Sequence, residues 1–125
     1  MRFVIAPALA AALFLAAPAA AQSGGTLESF VTRANRIPMN ATAMLRPDAH
    51  RLKGEAERAF RAVHLEIRTA RTAGRTPPAC PPDSMEISPR QLLAFLNGIP
   101  QSRRQRMSVT DGIRDWMASR YPCTG

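Results

Sequence analysis

Cysteine, histidine and lysine are scarce in this 125-residue chain, and the first two scarcities rule something out. With only Cys80 and Cys123, it cannot build a thiolate-rich zinc site, and no C-x-x-C redox motif is present. Lys53 is the single lysine, so the formal charge of +8 is carried almost wholly by arginine. His50 and His64, the only histidines, stand about 21 Å apart along one predicted helix, too far to share a metal. No glycine-rich phosphate loop and no nucleophile-elbow serine occur. The expectation is therefore a non-enzyme: no catalytic residue, no metal and no cofactor. Sustained alternation of period two is absent as well, which argues against strands.

What is present begins with an apolar opening. Met1-Arg2 supplies a positive start, Phe3 to Ala17 is apolar, and Pro18 precedes Ala19-Ala20-Ala21, an A-x-A-like cleavage site. Residues 1–21 are read as a signal peptide and 22–125 as one exported domain, periplasmic or secreted. The opening run is alanine-rich and interrupted by proline, so it suits cleavage better than a permanent span. No later stretch is apolar enough to cross a bilayer, so no stable membrane insertion is expected after cleavage. About 104 residues remain, enough for one modest core, carrying about +7 once Arg2 is removed. An exported basic protein meets anionic lipid, cell wall or acidic proteins; nucleic acid is not an expected partner.

In an oxidising compartment Cys80 and Cys123 are most simply one disulfide. The alternative, a redox pair, lacks an adjacent histidine or lysine to lower a thiol pKa.

The spacing of apolar residues predicts an all-α domain: one long central helix and at least three shorter ones. Leu27, Phe30, Val31 and Ala34 form one stripe behind a Thr26 cap, and Pro38 ends that helix. Met39 to Leu45 reads as a short helical turn. From Asp48 to Ala73, the apolar residues from Leu52 to Ala70 fall on about a 100° arc. Gly74 is the stop and Glu57–Arg61 a supporting pair. The proline-rich run from Thr76 to Pro82 is a stiff connector. Ser88-Pro89-Arg90-Gln91 is a helix start with cap, N1 proline and capping-box glutamine, flanked by Ile87 and Leu92 as a staple. Ser108 to Asp111 opens the last helix, whose stripe is Val109, Ile113, Trp116 and Met117. Asp111 and Asp115 read as structural charges and Trp116 as core.

Arg103, Arg104 and Arg106 form the densest charge cluster. It is either a solvated connector between helices or a surface that meets an acidic partner through bidentate guanidinium pairs.

The segment from Cys80-Pro81-Pro82 through Ser88-Pro89-Arg90-Gln91-Leu92-Leu93, Ile99-Pro100 and Arg103-Arg104 to Tyr121-Pro122-Cys123 resembles the C-terminal half of Rap/Tai-type immunity proteins. The resemblance implies a helical, periplasmic, disulfide-bonded protein that binds and blocks peptidoglycan-cleaving amidase effectors of type VI secretion. It implies a protein partner, with Cys80 and Cys123 matching the family bridge and Gln91, Leu92 and Tyr121-Pro122 matching scaffold positions. The expected function is thus an inhibitor that occludes a cell-wall enzyme. The alternative is a periplasmic stress chaperone or a structural envelope protein.

Overall fold

A computed structural model describes residues 25–124; the signal-peptide reading at 1–21 lies outside the described residues. The described chain is all-α, with no β-strand. Its helices are α1 (Leu27–Asn35), α2 (Pro47–Thr72), α3 (Pro89–Gly98), α4 (Gln101–Arg104) and α5 (Val109–Arg120). A 3-10 turn at Ala41–Leu45 joins α1 to α2. No helix among the described residues is long and apolar enough to cross a membrane.

The helix ends follow local chemistry. Thr26 Oγ1 accepts from the Ser29 amide (3.1 Å), and Ser88 Oγ accepts from the Gln91 amide (3.3 Å). Ser108 and Asp111 make the reciprocal box, each side chain accepting from the other's amide at 3.0 and 2.9 Å. α2 starts one residue earlier than the sequence suggests, on Pro47 at N1, with Asp48 in its first turn. Proline is favoured there because its fixed φ suits the first turn and no amide donor is lost. At the other end Gly74 adopts φ +69°, and the Arg75 amide donates to the Ala70 carbonyl at 2.8 Å, closing the helix.

α5 lies along α2 in the most extensive helix contact of the fold, with α1 and α3 completing the core. Leu27, Val31, Val63, Ile67, Leu96, Ile113 and Met117 are fully buried. The two predicted stripes of α1 and α5 are buried in full. α1 and α5 also meet at their N-termini, where the Leu27 amide donates to the Met107 carbonyl at 2.7 Å. Gly112 permits this approach: a Cβ there would lie 2.8 Å from both Leu27 methyl carbons.

Cys80 and Cys123 are bonded, with Cα atoms 4.9 Å apart, and the Cys80 amide donates to the Tyr121 carbonyl at 2.8 Å. The proline-rich connector is thereby tied to the end of α5, and its own Ala79 is fully buried.

Ion pairs run between helices more than along them. Arg33 meets Glu55 in a bidentate pair at 2.8 and 3.0 Å, tying α1 to α2. Arg114 does the same with Glu66, both contacts at 2.7–2.8 Å, and reaches Asp111 at 2.7 Å, tying α5 to α2. Glu57 pairs with Lys53 at 3.8 Å and not with Arg61. Both partners satisfy the four-residue spacing.

Hydrogen bonds from Arg114 hold the Glu66 carboxyl below its ordinary range. Burial pushes Asp111 up, but the Ser108 amide and Arg114 outweigh it and its net shift is downward. Both groups therefore contribute stability above the unfolded carboxylate range and lose it as pH falls through their lowered folded values. The melting temperature is expected to be flat from about pH 5 to 7 and to fall below about pH 4. Glu66→Gln should lessen that acid slope. At neutral pH it costs about 1 kcal/mol or less, because the pair is part-exposed and screened. Thermal melts of both proteins across this range test it; equal acid slopes would remove the Arg114 network as the cause.

Candidate functional site

A large apolar groove opens between α1, α2 and α3, with a volume of about 410 Å³. That size lies in the range of ligand and anchor-residue sites. Phe30 and Ala34 of α1, Leu52, Ala56 and Phe60 of α2, and Leu92 and Leu96 of α3 form its floor. Each of these side chains belongs to a helix stripe that faces the core, and the stripes diverge here instead of meeting. The lip is built by Met39, Met44 and Ile87, all exposed, with Met44 at 64%.

The Met44 side of the lip is held from below. His50 Nε2 donates to the Met44 carbonyl at 2.7 Å, and Arg90 Nη2 donates to the Met39 carbonyl at 3.4 Å. Asn40 caps the 3-10 turn by accepting from the Thr42 amide at 2.9 Å. The backbone of the lip is thus fixed, while its methionine side chains are free to adapt to what enters. An apolar patch of this kind on a small domain marks an interaction site more often than it marks idle surface.

The groove has a basic end. Leu52 also lines a smaller pocket of about 170 Å³, formed with Arg33, Arg36, Arg46, Asp48 and Arg51. Arg33 is occupied by Glu55, which raises its pKa. Arg46 is bound to Asp48 at 2.8–3.0 Å, and the guanidinium's hydrogen bonds hold that carboxyl below its usual value. Arg36 and Arg51 have no carboxylate among the described residues within ion-pair distance. An acidic group at this end of the groove would find two unengaged guanidiniums.

No family model, curated protein or solved structure matches the chain.

The arginine cluster read from the sequence divides. Arg104 is a fold residue, its side chain only 13% exposed. It donates to Glu28 of α1 at 2.6 Å and to the carbonyls of Asn97 and Ile99 at 3.0 and 2.9 Å, closing the C-terminus of α3. Arg103 is exposed and meets Asp115 at 3.5 Å, and exposed Arg106 donates to the Ser102 carbonyl at 3.2 Å. These two remain on the surface, at the far end of α3 from the groove lip. His50 lies at the groove and His64 does not. Among the described residues no group of three or more histidine, cysteine or acidic side chains could hold a metal.

The groove was not foreseen from the sequence. The one available signal was the segment from Ile37 to Leu45, which Pro38 interrupts and Pro47 follows. It carries Ile37, Met39, Met44 and Leu45 without enough length to bury them on a helix of its own.

Proposed function

We propose that this chain is an exported, non-catalytic binding protein of the immunity type, which docks on a cell-wall amidase effector and occludes it. One observation carries the binding part of this reading: an apolar, methionine-lipped groove left open by an otherwise closed core. The amidase part rests on the resemblance between residues 80 and 123 and the immunity proteins. An apolar segment of the effector enters the groove, and acidic groups beside it pair with Arg36 and Arg51. Arg103 and Arg106 add a second basic contact. A stable complex of this kind buries about 1,200–2,000 Å² in total, so the groove serves as the anchor and the surrounding arginine-rich surface as the rim.

The test is inhibition of peptidoglycan amide cleavage by a candidate amidase effector, sought first among the genes that neighbour this one. Wild-type protein should slow it. Met44→Glu with Ile87→Glu should raise the half-inhibitory concentration at least about tenfold, the scale of a lost interface anchor. Both positions are exposed, so the melting temperature should hold. An uninhibited amidase sinks the immunity reading. Inhibition insensitive to both substitutions moves the contact away from the groove.

The same lip favours a second reading, a periplasmic holdase that covers apolar segments of unfolding proteins. Suppression of aggregation of an unrelated unfolded protein, lost in the same variant, is its signature.

A further inference from the structure

The solvent face of α2 carries a feature that the groove and the amidase reading share only at Arg51. Arg51, Arg58, Arg61 and Arg68 fall, at 100° per residue, on about a 100° arc opposite the buried stripe. They extend over about 26 Å of helix, and all four are exposed. Arg71 and Arg75 continue the charge past them. None of these six makes an ion pair among the described residues. The acids of α2 are taken elsewhere: Asp48 by Arg46, Glu55 by Arg33, Glu57 by Lys53 and Glu66 by Arg114. Residues 1–24 contain no aspartate or glutamate that could neutralise the ridge. In the middle stands Leu65, a large apolar side chain 57% exposed with charge on both sides.

We propose that this ridge is an adsorption surface for an anionic lipid bilayer. The ridge is convex, one helix wide and, apart from Arg51, lines neither pocket, so it suits a flat partner better than a protruding acidic peptide. Long arginine stems lie along the surface while their guanidiniums reach phosphate groups, and Leu65 enters the headgroup layer between them. No aromatic or amide side chain stands on the arc to stack on or read a base, which disfavours a nucleic acid. The inference rests on the export reading, which puts the chain where anionic lipid is, and is independent of the amidase.

The experiment is co-sedimentation of the protein, as isolated from its producing cells, with two kinds of vesicle. One is phosphatidylcholine alone and the other contains roughly one-third phosphatidylglycerol. Binding is expected to the second only and to weaken strongly at about 0.5 M salt. Each arginine near an anionic surface contributes about fivefold in binding. Arg58→Glu with Arg61→Glu and Arg68→Glu should therefore lose at least about tenfold. A control with the same charge change off the ridge (Arg36→Glu, Arg106→Glu and Arg120→Glu) should lose far less. Circular dichroism melts confirm that both variants fold. Equal binding to phosphatidylcholine, equal loss in the two variants, or no loss in the ridge variant overturns the proposal. So does binding of polyglutamate or DNA by the ridge in the absence of vesicle binding, which would assign the surface to an acidic protein or to nucleic acid.

Discussion

Replacing Cys80 and Cys123 together by serine is expected to lower the stability of the fold by about 4 kcal/mol. The bridge closes a loop with a sequence separation of 43, and a loop of that length removes about this much free energy of chain entropy from the unfolded state. A domain of this size has a total of about 5–15 kcal/mol, so the loss is a large share. The melting temperature should drop by roughly 15–30 °C. The native arrangement itself should survive at low temperature. The Cys80 amide still donates to the Tyr121 carbonyl, and Ala79 is still buried. Far-ultraviolet circular dichroism before and after reduction of the wild-type protein is an independent check. A melting point unchanged within a few degrees in both experiments would mean that the connector is held to α5 by packing alone.

Trp116→Ala is expected to be of similar severity, about 3–5 kcal/mol. The indole is 4% exposed and lies at the centre of an aromatic run. Its ring meets Phe60 of α2 at 5.7 Å and Tyr121 at 6.2 Å, both edge to face. Truncation leaves a cavity along the α2–α5 contact, the most extensive in the fold, and removes two aromatic pairs that add to simple burial. Trp116→Phe keeps an apolar ring in the site and should cost clearly less than alanine. Because this is the only tryptophan, denaturant unfolding of the wild type can be followed by its fluorescence, and the alanine variant by circular dichroism. The two largest effects should also couple. Both act on the C-terminal turn of α5, where Tyr121 packs on Trp116 and receives the Cys80 amide. The triple variant should therefore depart from the sum of the separate losses. Additivity within a few tenths of a kcal/mol would show that bridge and aromatic run are independent.

Many helix boundaries were readable because they depend on neighbours in the chain. Thr26, Ser88 and the Ser108–Asp111 box bond to amides within three residues, and a stripe such as Leu27, Phe30, Val31 and Ala34 declares its buried side by spacing alone. Pairing Glu57 with Arg61 failed for the converse reason. Lys53 and Arg61 are equally spaced from it, and although helix orientation favours Arg61, the contact made is to Lys53. Arg104 could not be told from Arg103 and Arg106 for a related reason: its role depends on Glu28 and on the end of α3 being brought beside it.

By its own pattern, then, the sequence determined an all-α domain, its capped helices, the core faces of α1, α2 and α5, and a pair of cysteines suited to one bridge. These follow from periodicity and capping, which act over a few residues. Only the tertiary structure decided that three apolar stripes part to leave a methionine-lipped groove, that the outward arginines of α2 stay unpaired among the described residues, and that one arginine of a basic triplet is spent inside the fold. Each of those depends on the angle and distance between helices, which arise when side chains far apart in the chain pack against one another.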